Sequence, residues 1–220
     1  TNPQYSGTID LNGKILISKE NIAIYGGTLL VPASLSDTQV PRWGIKPNLQ
    51  THRDLIVGGN ATVTASGYGK IKVKQNVRIW GELTAPGATG SFIAHHGFRV
   101  YAGGTFNHSD GLVDFATQGT GATISIVGQG NFYNINKRVR KHLTLSTPIT
   151  VENDVTIHGD GSIKAQNNNI TVGGDWTLEQ AKNFDSGTGR VIFNGSSQTI
   201  SWETNNSYKF KHLRISDDSV

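Results

Sequence analysis

The sequence predicts an all-β fold, a single-stranded parallel β-helix (β-solenoid), right-handed, with coils of about 23 residues. Three observations carry this reading: a glycine that returns at a near-fixed interval, apolar residues two and four positions before it, and a second alternating stretch after it. A fixed period in the twenties marks a solenoid, in which each unit buries its apolar face only against its neighbours.

The motif begins as Ile22-Ala-Ile24-Tyr-Gly26 and recurs as Val77-Arg-Ile79-Trp-Gly81, Val100-Tyr-Ala102-Gly-Gly104 and Ile124-Ser-Ile126-Val-Gly128. Further copies are Val155-Thr-Ile157-His-Gly159, Ile170-Thr-Val172-Gly-Gly174 and Val191-Ile-Phe193-Asn-Gly195. Ile56-Val-Gly58 lacks the outer apolar residue, and Leu213-Arg-Ile215-Ser-Asp217 carries Asp for Gly. From Gly58 the corners fall at Gly81, Gly104, Gly128, Gly174, Gly195 and Asp217. The step from Gly128 to Gly174 is twice the others and is taken as two units, with the Gly159 copy out of phase. Apolar residues two apart have the period of a strand with one face inward. The glycine suits a corner, because it takes positive φ without a clashing Cβ. Second strands are expected at Ala61-Thr-Val63, Leu83-Thr-Ala85, Ile163-Lys-Ala165 and Trp176-Thr-Leu178. Roughly nine coils stacked at ~4.8 Å make a rod ~40 Å long. Inside it Ile79, Ile126, Ile157, Val172 and Phe193 are expected to stack from coil to coil.

Residues 1–220 thus read as one solenoid domain, a segment of a larger protein, since Thr1-Asn-Pro-Gln-Tyr5 is neither a start methionine nor a signal peptide. The step from Gly26 to Gly58 is longer than one coil, so 34–53 reads as an inserted loop, with Arg42 and Trp43 between two prolines as candidate recognition residues. Residues 177–184 read as a short helical insert, Gln180 being placed for a capping box.

Composition narrows the chemistry. The chain has 27 Gly, 35 % hydrophobic and 16 % charged residues, enough apolar material for a continuous core. Absence of cysteine excludes disulfides, thiol catalysis and Cys-ligated zinc. No run of 18 apolar residues predicts a membrane-spanning helix. A net charge of +4 makes no case for nucleic acid.

Ile170-Thr-Val-Gly-Gly-Asp-Trp-Thr177, followed by Gly187-Thr-Gly-Arg-Val-Ile-Phe-Asn-Gly-Ser-Ser-Gln-Thr-Ile200, resembles the repeat segments of very large secreted or surface-anchored prokaryotic proteins with β-helical stalks. The match spans about Ile170 to Ile215. It implies an extracellular or cell-surface location and an adhesive, stalk or sheath role, and it brings no catalytic residues.

Candidate sites follow from side-chain chemistry. Lys137, Arg138, Arg140 and Lys141 form the densest positive cluster, with Tyr133 just upstream able to stack on a sugar. Together they read either as a landing site for an anionic glycan or as a solvated loop that keeps an exposed coil soluble. His95, His96 and His108, near Asp110 and Asp114, are the best metal candidates, yet adjacent strand residues face opposite ways, so neither metal nor cofactor is expected. An enzyme would need carboxylates converging on one face of successive coils. Glu82, Asp160 and Asp175 follow their corners by one, but Thr105 and Gln129 intervene, leaving Asp160 with Asp175 as a single pair. The chain is therefore expected to be a structural or adhesive module rather than an enzyme, the alternative being a polysaccharide-binding or polysaccharide-degrading β-helix. Strand-like segments at Lys14 to Ile17 and Leu213 to Ile215 predict pairing end to end, with another copy or with the remainder of a larger chain. Asn-x-Ser/Thr sites at Asn60, Asn107, Asn169, Asn194 and Asn205 are compatible with export, and Asn167-Asn168-Asn169 and Asn205-Asn206 read as corner residues that bond from coil to coil.

Overall fold

Alternation of apolar and polar residues bends this chain into short strands that stack in parallel, coil on coil. The computed structural model describes residues 5–32, 47–117, 121–139, 141–159, 161–179, 184–202 and 210–216. Among them there is no helix, and hence none long and apolar enough to cross a membrane.

The strands fall into three sheets. The first holds β1 (Thr8–Asp10), β3 (Ile22–Val31), β5 (Leu55–Ala65), β7 (Val77–Ile79), β8 (Glu82–Thr84), β10 (Phe98–Val100), β11 (Thr105–Asn107), β13 (Ala122–Ile126), β14 (Gln129–Gly130), β16 (His142–Leu145), β19 (Ser162–Lys164) and β22 (Phe184–Asp185). The second holds β2 (Leu16–Ser18), β4 (Leu49–Thr51), β6 (Lys70–Val73), β9 (Ser91–Ala94), β12 (Leu112–Ala116), β15 (Asn134–Arg138), β18 (Val155–Ile157), β21 (Trp176–Leu178) and β24 (Ile200–Trp202). The third holds β17 (Ile149–Val151), β20 (Ile170–Val172), β23 (Val191–Phe193) and β25 (Leu213–Ile215). One coil runs β7, β8, β9 and returns beneath itself at β10, where Phe98 registers on Val77. From β17 onward the third sheet occupies the place in each coil that β8, β11 and β14 hold earlier.

Each strand buries alternate side chains. In β7 Val77 and Ile79 are fully buried and Arg78 points out. The second sheet stacks Leu49, Ile71, Phe92, Val113, Ile135, Val155 and Trp176 in one inward column, one residue from each successive coil. At mid-length the column thickens into edge-to-face contacts of Phe98 with Phe92, Phe106 and Phe115. Such burial contributes about 1.5–3 kcal/mol per large side chain.

Corners are held by a second ladder. The side-chain oxygen of Asn21 accepts from the backbone N–H of Asp54, Asp54 from Asn76, and Asn76 from Gly97, each acceptor standing just before a strand of the first sheet. Asn134, the first residue of β15, and Asp154 and Asp175, just before β18 and β21, repeat this in the second sheet, ending on the N–H of Thr199. The expected corner role of Asn167 and Asn169 holds, with bonds to Thr188 and Arg190 one coil along; Asn205 and Asn206 lie outside the described residues.

Several expectations change. The glycine motif does not mark one face: its copies ending at Gly81, Gly104 and Gly128 follow the first sheet, that at Gly159 the second, and those at Gly174 and Gly195 the third. The double-length step from Gly128 to Gly174 therefore crosses from one face to another. Ile157 accordingly stacks between Lys137 and Leu178, not between Ile126 and Val172, and Ile126 is only partly buried. Of the motif glycines only Gly159 has positive φ. Gly58, Gly81, Gly104, Gly128, Gly174 and Gly195 are small because the coils touch there: a Cβ on Gly81 would lie 2.1 Å from the Gly58 carbonyl oxygen, and one on Gly128 2.3 Å from that of Gly104. In the expected helical insert, Thr177 and Leu178 belong to β21 and Phe184 to β22, while 180–183 lie outside the described residues. The expected insertion 34–53 includes β4, whose Leu49 takes its place in the inward column.

Gly81→Ala should destabilise the fold by about 2–3 kcal/mol through overpacking, whereas Gly59→Ala, whose Cβ would find its nearest neighbour 4.0 Å away, should stay within about 0.5 kcal/mol. Ile79→Asp should cost several kcal/mol and Ile126→Asp clearly less. Urea melts of the four variants check both contrasts, and equal losses at Ile79 and Ile126 would contradict the register.

Candidate functional site

Outward positions of the second sheet register into a column that is polar apart from Ile93: Lys72, Ile93, Asp114, Asn136 and Thr156. Beside it run Lys70, Ser91, Leu112 and Asn134. These side chains floor a groove of about 960 Å³, walled by Tyr68 and the Ala88–Gly90 turn on one flank and by Val139 on the other.

Asp114 lies at its centre and is 3 % exposed. Arg138, one coil along, grips it with two parallel bonds, Nη2 to Oδ2 at 2.6 Å and Nε to Oδ1 at 3.1 Å. Bidentate pairing of this kind is strong and geometrically specific. Lys70 and Lys72 stand two residues apart on β6, and burial, then the Lys72 charge, push the Lys70 ammonium below its ordinary range. His95, just past β9, is 7 % exposed, and neither ring nitrogen makes a hydrogen bond of good geometry. Burial first and the Lys72 charge second lower its pKa, which favours a neutral ring at neutral pH.

The basic cluster is divided by the same alternation. Arg138 faces the groove, while Lys137 is turned inward between Phe115 and Ile157 and is fully buried. Its Nζ donates to the carbonyl oxygens of Arg138 and Val139, and Val139 holds φ at 71°, an unusual conformation for a β-branched residue. Lys137 is thus a corner fastener and is withdrawn from any surface contact. Lys141 is exposed, and Arg140, Arg42 and Trp43 lie outside the described residues. Tyr133 precedes β15, a strand's length of roughly 16 Å from Arg138, and stacks on His108 at 5.6 Å. His108 accepts at Nδ1 from the Asp110 backbone and turns Nε2 to Glu152 at 3.2 Å. His95 and His108 are not brought together around one point, and no group of three or more His, Asp or Glu among the described residues is arranged to hold a metal. Of the paired acidic candidates, Asp175 belongs to a corner ladder and Asp160 lies outside the described residues.

Comparison with protein-family models, with curated proteins and with solved structures finds no match.

Sequence reasoning names Arg138, His95 and Asp114 for other roles but does not assemble the groove, because its residues come together only through register between coils. Its signal is nonetheless present, since Lys72, Asp114 and Asn136 recur at multiples of the coil spacing.

The buried Lys137 ammonium is pushed down to about 8 from 10.5, chiefly by desolvation. Between those values the unfolded chain binds the proton more tightly, so folding stability rises with pH across that window, by roughly 3 kcal/mol at most. Urea melts at pH 7.5 and 10 should show that gain in the wild type relative to Lys137→Met, in which it should vanish; parallel pH dependence in both proteins would contradict the burial.

Proposed function

We propose that this chain is a structural and adhesive module of an extracellular or cell-surface protein and that it extends by adding coil upon coil. The observation that carries the reading is the state of the column ends. Within the rod most inward side chains are buried, whereas Ile9, beneath Leu29, is 53 % exposed and Ile215, above Phe193, is 78 % exposed. Leu16 and Leu213 are similarly open at the ends of their columns. These residues stand in core register, and among the described residues β1, β2 and β25 each pair with a strand on one side only. A further coil, from a second copy or from more of the same chain, continues the apolar stack and completes the ladder. A contact of this head-to-tail kind does not close on itself, and its product is a filament or a longer stalk.

Light scattering and negative-stain microscopy at rising concentration test the joint. Wild-type protein should lengthen end to end, and Ile9→Lys with Ile215→Lys should remain monomeric with an unchanged circular dichroism spectrum, since both side chains are already exposed. A wild-type chain that stays monomeric at high concentration would reject self-addition. Surface display is checked separately by protease treatment of intact source cells, which should remove the protein; full protection would reject the extracellular reading.

A further inference from the structure

We propose that the groove over Lys70, Lys72, Asp114 and Arg138 binds an acidic polysaccharide laid along the solenoid axis. The inference deepens the adhesive half of the reading above and does not depend on end-to-end addition.

Shape comes first. The groove crosses β6, β9, β12, β15 and β18, five strands whose spacing sums to roughly 19 Å. It is a shallow open trench and not an enclosed cavity, suited to a short stretch of an extended polymer.

Charge comes second. Among the described residues neither Lys70 nor Lys72 has a carboxylate within salt-bridge distance, while Asp114 is held by Arg138. Asp154, at the far end, already accepts from the Asp175 backbone. Asp154 keeps its charge at the far end, so the groove sets three cations against two carboxylates, with Lys70 and Lys72 together at one end, where an acidic polymer can place a carboxylate or sulfate. Lys70 is partly desolvated beside Lys72, and a bound anion relieves that mutual repulsion.

Neutral chemistry comes third. Asn136 and Thr156 continue the outward column beyond Asp114, and their side chains make no protein hydrogen bond among the described residues. An amide and a hydroxyl in line, one strand spacing apart, suit the hydroxyls of successive sugars. Tyr68, 45 % exposed on the wall beside Lys70, offers an aromatic face to a sugar ring. Nucleic acid is less well suited, because the groove has a single aromatic wall and few cations for a polymer with a charge at every unit. An outward pair elsewhere, Trp80 stacked on Tyr101 at 3.9 Å, makes no comparable platform, since each ring covers one face of the other.

The test is a titration of the whole chain with polygalacturonate and, in parallel, with neutral dextran of similar length. Wild-type protein should bind polygalacturonate more weakly as salt rises and should not bind dextran. Lys70→Ala with Lys72→Ala should weaken binding at least tenfold, and Asn136→Leu, which removes no charge, should weaken it severalfold. Lys14→Ala with Lys19→Ala, which removes two exposed lysines outside the groove, should leave affinity unchanged. Melting curves of each variant verify folding. The proposal is overturned if wild-type protein fails to bind, if dextran binds equally, if both lysine pairs have equal effects, or if Asn136→Leu is silent. Because the groove variants at Lys70, Lys72 and Asn136 leave the column ends Ile9, Leu16, Leu213 and Ile215 untouched, failure here leaves end-to-end addition standing, and failure of that addition leaves this titration valid.

Discussion

Register between successive coils is the constraint on which the rest of this molecule depends. A slip of one residue turns every inward side chain outward, and strands as short as β7 or β10 have little pairing of their own to resist it. The corner ladders supply that resistance. Asn21, Asp54 and Asn76 each offer one side-chain oxygen to the backbone N–H one coil along, at the residue where a strand begins. A shifted coil would leave those donors unpaired where the chain turns, at about 1–3 kcal/mol each when buried. Glycines act on the same constraint from the opposite side. Where a carbonyl of one coil presses into the next, as Gly58 does upon Gly81, only a residue without Cβ admits the approach, and that too is possible in one register alone.

Once register is set, the inner and outer surfaces are made by the same rule. Residues separated by one coil fall into columns, and a column is apolar or polar according to its parity within the strand. Val113 and Ile135 continue the core, and one residue later Asp114 and Asn136 continue the groove floor. Lys137 is the informative exception. By parity it belongs inside, and it stays there because it lies at the end of β15, where its long stem reaches the open carbonyls of Arg138 and Val139. A cation in the same column at mid-strand would find every carbonyl already bonded.

Much of this is legible in the sequence. Alternation and period suffice for a parallel β-solenoid, since both are direct consequences of an inward face and a repeated coil. Phase is less legible, because Ile157-His-Gly159 and Val172-Gly-Gly174 satisfy one local pattern while closing different faces. Corner glycine is required by close approach anywhere on the coil, so it does not identify a face. A sharper signal is present in the Asn or Asp placed immediately before an apolar-x-apolar triplet, as at Asp54-Leu55, Asn76-Val77, Asp154-Val155 and Asp175-Trp176. It is hard to see in the sequence because Asp and Asn are ordinary turn residues, and their common orientation exists only once the coils are stacked. For the same reason Asp175 resembles a potential acid in sequence and is a corner acceptor in the fold. The basic run misleads in a different way: Lys137 and Arg138 are adjacent in sequence and face opposite sides of a strand.

A solenoid separates its possible contacts by direction. Its ends carry exposed column termini such as Ile9 and Ile215, which on the proposed reading pair with another coil of matching register and continue the rod. Its flanks expose outward columns whose chemistry varies freely, since a change from Asn136 to another polar residue alters no inward contact. Recognition can thus change along the flank without disturbing the stack, and extension can proceed without covering the groove. The groove lies across β6 to β18, away from β1 and β25. Coils added at either end leave it open, and a rod of many such modules would carry one groove per module at a spacing set by the number of coils between them. Weak binding at each groove would then combine along a shared polymer, because once one site is occupied the next meets its ligand at high local concentration.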